Sequence, residues 1–216
     1  MTGRPPAAER VSVAGPAGAI EVIVEQPAQA AKGIALIGHP HPLFGGTADN
    51  KVAQTLARSL RDLGHVALRP NFRGVGGTEG AHDEGRGETD DMLAVLDYAR
   101  ARFGDLPVVL GGFSFGAYVQ TRVARRLAEA GRPAQRLVLI GTAAGHVEGL
   151  RRYATEAVPA NTIVIHGALD ETVPLENVLA WAQPLDLPVV VVPGADHFFH
   201  RKLHILRHII TQAWCR

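Results

Sequence analysis

Short, almost unbroken apolar runs alternating with stretches of helical periodicity constrain this chain more than any other feature. The runs are KGIALIG (32–38), HVALRPN (65–71), 106–113, LVLIG (137–141), TIVIHG (162–167) and VVVV (189–192). A run of this length without polar alternation suits a strand covered on both faces. Between the first two runs, Val52, Leu56, Leu60 and Leu63 recur at helical spacing, with Asp49 or Asn50 to cap the start and Gly64 to stop the end. Further helices are predicted over 89–103, behind acidic Glu88, Asp90 and Asp91, over 115–130, and from Leu203 onward, where Leu203, Leu206, Ile210 and Trp214 form the apolar stripe. Before them, RVSVAGPAGAIEVIVE (10–25) reads as an antiparallel hairpin about Gly15-Pro16-Ala17-Gly18. The expectation is an α/β chain: a mostly parallel, doubly wound sheet with helices on both faces and an antiparallel hairpin at one edge.

Composition narrows the function classes. Twenty-two basic against 21 acidic side chains give a net charge of +1, so no field of one sign favours nucleic acid or an anionic membrane. No run approaches the roughly 20 apolar residues of a membrane span and no secretory signal opens the chain, which predicts a cytoplasmic protein acting on a small molecule. Residues 1–8, rich in Pro and Ala, are expected to be a flexible tail, and 9–216 a single domain. Cys215 stands alone, which excludes an intrachain disulfide and reads as an incidental thiol. The glycine-rich RGVGGTEG (73–80) neither opens a helix directly after a strand nor precedes a suitably spaced acidic residue, so dinucleotide binding is not expected. His200, His204 and His208 fall four apart, and His39 and His41 two apart. With no HEXXH and no completing Cys or carboxylate set, no metal and no cofactor are expected. Nothing in the sequence indicates the oligomeric state.

Ligand chemistry in such a sheet gathers beyond the carboxyl ends of its strands. Gly112-Phe113-Ser114-Phe115-Gly116 stands at one of these ends, where a strand turns directly into a helix. That is the setting of a nucleophile elbow, with Ser114 projecting its hydroxyl from the turn. A serine hydroxyl needs a base, and the base needs an acid to hold its tautomer. Asp170 follows TIVIHG, and His197 follows VVVV. Taken singly, Ser114 could be a chance serine, Asp170 a turn or cap residue, and His197 a surface histidine. Their joint position, each beyond its own strand in the order Ser, Asp, His, favours one catalytic constellation. An oxyanion needs two donors. The Phe115 N–H is one, and the loop His39-Pro40-His41-Pro42 offers His41 or Leu43 as the other, since proline donates nothing; His41 is preferred and His39 reads as a brace for the loop. Leu43, Phe44, Phe115 and Phe198 are expected as apolar walls of a substrate pocket, while Phe113 and Phe199 read equally well as core.

HPHPLFGG, GFSFG, HGALDETVP and ADHFFH together resemble the α/β-hydrolase superfamily, in particular its small lidless bacterial serine hydrolases, of a size similar to dienelactone hydrolases. The resemblance runs from about Lys32 to the last helix. It implies the α/β-hydrolase fold, with Ser114, Asp170 and His197 as nucleophile, acid and base. Dienelactone hydrolases usually carry a cysteine nucleophile, so their substrate is not implied. Residues 142–161, where many relatives insert a cap, suffice for a loop and one short helix near Leu150–Thr155, which predicts no cap domain. The expected activity is hydrolysis of a small carboxylic ester or related acyl compound through an acyl-enzyme. The alternatives are an acyltransferase with the same nucleophile or a ligand-binding protein without turnover.

Overall fold

The computed structural model describes residues 5–147 and 151–214, so residues 1–4 of the expected tail, Leu150 and Cys215 lie outside the described residues. The strands are β1 (Glu9–Gly15), β2 (Gly18–Glu25), β3 (Gly33–Gly38), β4 (His65–Pro70), β5 (Val108–Phe113), β6 (Arg136–Ile140), β7 (Gly145–Val147), β8 (Arg151–Tyr153), β9 (Ile163–Gly167) and β10 (Val189–Val192). Eight of them form one sheet in the order β1-β2-β4-β3-β5-β6-β9-β10, and β7 pairs with β8 separately. From β4 to β10 every pairing in the large sheet is parallel; the β1–β2 hairpin joins β4 antiparallel. This is the mostly parallel, doubly wound sheet that the apolar runs predicted and the architecture that the resemblance implied.

The helices are α1 (Lys51–Asp62), α2 (Arg86–Phe103), α3 (Phe115–Glu129), α4 (Leu175–Ala182) and α5 (Leu203–Trp214). Helices α1 and α5 pack together over one face of the sheet, burying Val52, Leu56, Leu60, Leu206 and Ile210. On the other face α2 and α3 bury Val95, Leu96, Val119 and Val123. Asn50 caps α1, its Oδ1 accepting from the Val52 and Ala53 N–H groups at 2.9 and 3.3 Å.

Four elements depart from the sequence reading. Helix α2 starts at Arg86 rather than at Thr89, because the Glu88 carboxylate turns back to accept from the Gly85 N–H at 2.8 Å and closes an earlier turn. The VVVV run is an edge strand, and Val190 and Val191 remain exposed because β10 has a neighbour on one side alone. Around 151–155 the expected short helix is replaced by β8, paired antiparallel with β7; Arg152 is exposed, and the Tyr153 ring lies 4.9 Å from that of Tyr118. Helix α4 was not anticipated. Among the described residues no helix is long and apolar enough to cross a membrane.

Backbone meets backbone where β3 ends and α3 begins. A Cβ on Gly38 would stand 2.9 Å from the Gly116 Cα, and one on Gly116 would enter the Gly38 and His39 main chain. Neither side can yield as a flexible side chain would. Gly116→Ala is therefore expected to destabilise the fold, since overpacking costs about 1–3 kcal/mol and outweighs the roughly 1 kcal/mol that alanine gains over glycine within a helix. Urea unfolding measures it, and an unchanged or raised midpoint would contradict this account of the contact.

Candidate active site

Ser114 sits on the turn between β5 and α3 with φ 56° and ψ −120°, a left-handed conformation that costs a residue bearing a Cβ about 1–3 kcal/mol. The neighbouring strand holds it there: the Ser114 N–H donates to the Ile140 carbonyl at 2.9 Å. The turn aims the hydroxyl beyond the sheet edge, where His197 Nε2 lies 3.0 Å from Ser114 Oγ. His197 comes from the loop after β10, two strands beyond β6, and crosses to the elbow over Gly141. A Cβ at Gly141 would lie 3.3 Å from His197 Cε1, so a side chain there would crowd the imidazole.

Asp170, in the loop after β9, uses its two oxygens for different tasks. Oδ1 accepts from the N–H groups of Thr172 and Val173 at 3.0 and 2.8 Å, and Oδ2 accepts from His197 Nδ1–H at 2.7 Å. The turn role and the partnership with histidine, rivals in the sequence, coexist in one carboxylate. With Nδ1 donating, Nε2 is the bare nitrogen and accepts from the serine O–H. All three side chains are buried. His166, fully buried beneath them, donates from Nε2 to the Val173 carbonyl at 3.0 Å and stands 3.5 Å from Asp170 Oδ2. Sequence reasoning missed it, although its position in the strand end HG, four residues before Asp170, was the available signal.

The contact between Gly38 and Gly116 brings the loop after β3 beside the elbow. His39 is wholly inside: its Nε2 accepts from the Phe72 N–H at 2.8 Å, so Nδ1 is the protonated nitrogen and donates to the Pro40 carbonyl at 2.7 Å. Burial lowers its pKa to about 3. The His41 pKa falls to about 4, through burial first and then through the neighbouring His82 and Arg151. Both imidazoles are thus neutral at pH 7. The Leu43 N–H donates to His41 Nδ1 at 3.3 Å and is engaged within the loop. Among the described residues, the N–H groups of His41 and Phe115 have no acceptor, and the His41 and Phe115 rings lie 4.8 Å apart.

Leu43 and Phe44 are exposed and line a cavity shared with His41 and Phe115. Phe198, also exposed, lies on a separate, smaller hollow with Asn50, Val52 and Leu203. Phe113 and Phe199 are fully buried in the core, Phe113 with its ring 4.8 Å from that of His197. His82, Tyr118 and Arg122 line the larger cavity without having been singled out in the sequence. Tyr118 had a legible signal, one helical turn beyond Ser114; His82, reached from the long loop after β4, had none. Among the described residues no group of three or more His, Cys, Asp or Glu is placed to hold a metal ion. His200 instead pairs with Asp196, Nδ1 to Oδ2 at 2.6 Å.

A strained serine at a strand-to-helix turn, hydrogen-bonded to histidine and through it to aspartate on a mostly parallel sheet, defines a hydrolase of the α/β class. Residues 41–156, rather more than half of the chain, match the family described as the alpha/beta hydrolase fold, and the chain belongs to that family. It is similar to a lidless α/β serine hydrolase of Xanthomonas campestris, at 36% identity and TM-score 0.86, covering 99% of this chain and 96% of that one. It is also similar to an α/β serine hydrolase homologue of Coxiella burnetii, at 36% identity and TM-score 0.81, over 94% of this chain and 96% of that one. Among curated proteins, a lysophosphatidylserine lipase of Gallus gallus is 36% identical over 109 residues, 48% of this chain but 28% of the lipase.

The neutral histidines tie stability to pH. A histidine whose folded pKa lies below its unfolded value of about 6.5 contributes no loss above that value, and stability falls as acid protonates the unfolded chain first. Between pH 6.5 and 4 the urea midpoint is expected to drop, with His65 and His166, also lowered by burial, adding to His39 and His41. His39→Gln keeps an acceptor for the Phe72 N–H but cannot titrate. It is expected to be less stable at pH 7.5 yet to lose less over that interval, and parallel slopes for variant and wild type would refute the assignment.

Proposed function

We propose that the chain is a serine hydrolase cleaving a small carboxylic ester or related acyl compound through an acyl-enzyme. The observation that carries this reading is the hydrogen-bonded run from Ser114 Oγ through His197 to Asp170, at 3.0 and 2.7 Å, beside two unengaged backbone donors. In it Ser114 is the nucleophile, His197 the base and Asp170 the acid. As Oγ attacks the carbonyl carbon, its proton passes to His197 Nε2, and Asp170 stabilises the resulting imidazolium. The carbonyl oxygen, now an anion, accepts from the N–H groups of Phe115 and His41, donors already oriented before the reaction begins. Collapse of the intermediate breaks the ester C–O bond, and His197 returns the proton to the departing alcohol. Water, deprotonated by His197, then attacks the acyl carbon, and the acid leaves as Ser114 regains its proton.

Leu43 and Phe44 form the apolar surface for the substrate in this reading, with Phe198 on the separate hollow, its ring 5.1 Å from that of His197, and the chemistry draws on protein groups alone in a cytoplasmic setting. The curated relative named as a lipase favours an ester over an amide. Acyl transfer would use the same first half-reaction, but the exposed rim at Leu43 and Phe44 admits water and favours hydrolysis.

A fluorophosphonate probe is expected to label the wild type and not Ser114→Ala. Asp170→Asn, which misorients the imidazole, is expected to lower kcat on p-nitrophenyl esters by about 10³–10⁴-fold. Folded wild type that resists labelling would overturn the hydrolase reading. Labelling that persists in Ser114→Ala would overturn the assignment of the nucleophile.

A further inference from the structure

Beside the loop that carries His41 lies a cavity of about 660 Å³. Its aromatic walls are Phe44, Phe115, Tyr118 and Tyr153, and its charged lining among the described residues is four arginines, Arg86, Arg122, Arg151 and Arg152, against one carboxylate, Glu84. The arginines are not equivalent. Arg86 is exposed and held by Asp83 at 3.0 Å and Glu84 at 3.8 Å, so its charge is largely answered. Arg151 lies over the Phe44 ring, 4.2 Å from its centroid, and its charge reaches His41. Arg152 has no carboxylate partner among the described residues. Arg122 has a buried Nε without an acceptor among the described residues, and its Nη1 stands 4.0 Å from Glu156, a carboxylate that Arg125 holds more closely at 3.1 Å. A buried guanidinium N–H without a partner is costly unless a ligand supplies the acceptor.

We propose that this cavity binds an anionic group, a carboxylate or a phosphate, carried on a flat apolar part of the substrate, with Arg122 and Arg152 as its anchors. That the anion belongs to an ester rests on the hydrolase reading above; the preference of the cavity for an anion does not. Helix α3 sets the distance. Ser114, Tyr118 and Arg122 follow one another four residues apart and share a face, and Arg122 lies about 12 Å along the axis from Ser114. Side chains on a helix lean toward its N-terminus, and the Arg122 guanidinium does so, standing 5.9 Å from the Tyr118 ring centroid. The anion therefore lies within reach of a short acyl or aryl group attached to the ester carbonyl, which selects small charged esters over long fatty ones.

Calorimetric titration of the wild-type protein with phenyl phosphate, phenylacetate and neutral phenylacetamide tests the site without requiring turnover. At least one anion is expected to bind about 10-fold or more tightly than phenylacetamide, and the tighter of the two identifies the group. Arg122→Gln is expected to erase that preference and Arg152→Gln to reduce it; the exposed Arg152 serves if Arg122→Gln does not fold. In kinetics, mono-p-nitrophenyl glutarate is expected to exceed p-nitrophenyl butyrate in kcat/KM through a lower KM, with the gap closing in Arg122→Gln. Anions that bind no better than phenylacetamide, or a preference that survives both substitutions, would overturn the proposal. Anion binding in a protein that no fluorophosphonate labels would sink the hydrolase reading and leave the anion site standing.

Discussion

The close approach of Gly38 to Gly116 is the constraint on which the site depends. One backbone ends a strand and the other opens a helix, and their contact leaves no room for a side chain on either. Because β3 and β5 are hydrogen-bonded neighbours, the contact fixes where both chains leave the sheet. The elbow then presents Ser114, and the loop after Gly38 presents His41, within one small region. Neither would meet the other if the helix started one residue later or stood one side chain farther out. The strain at Ser114 is of the order of 1–3 kcal/mol. It is sustained by a local lattice of ladder bonds and buried contacts many times larger in total, which is why a stressed residue can persist at the turn.

Burial sets the protonation states that the site needs. Removing His39 and His41 from water disfavours their charged forms, so the loop beside Ser114 carries no positive imidazole at neutral pH. Positive charge enters instead through guanidiniums, which remain charged at any physiological pH. The result is a division of labour: neutral groups shape the loop, and permanent cations stand farther along the cavity. Asp170 shows the same economy, since one oxygen organises its turn and the other meets His197.

Most of the fold was legible because its signals are local. A buried parallel strand must be apolar at every position, so the runs from Lys32 to Gly167 declared themselves, and so did the glycines flanking Ser114. Ser114, Asp170 and His197 were legible as a set because each stands in the turn or loop just beyond a strand, and the structure brings these three together. Elements whose character depends on distant neighbours were not. VVVV looks the same whether it is central or at an edge, and its exposure follows from the lack of a partner beyond β10. β8 is three residues long, too short for an alternation to be distinguished from a helical turn. The arginine-lined cavity draws on α3, β8 and the loops after β3 and β4, so no spacing in the sequence encodes it. Phe198 illustrates the converse: its place next to His197 is evident, but the side it faces depends on how α5 docks.

Lidless relatives raise a physical question that this arrangement answers. Closing a cap over substrate normally excludes water and strengthens electrostatic interactions. Here Ser114, Asp170 and His197 are each less than a tenth exposed without a cap, because the elbow and its neighbouring loops sink them below a rim that includes the exposed Leu43 and Phe44. The three side chains are thereby largely shielded from bulk solvent while the mouth stays open. An open mouth cannot select substrate by closing on it, so selection must come from walls already in position. Arg122, on the helix that begins at Ser114, is such a wall element: its distance from Ser114 is set by helical pitch rather than by a movable loop. Charge on a partly open cavity is screened over a Debye length of about 8 Å at physiological salt, a scale comparable to the reach from rim to nucleophile. The charge discrimination proposed for the cavity would therefore act on substrate already seated there rather than steer it from a distance.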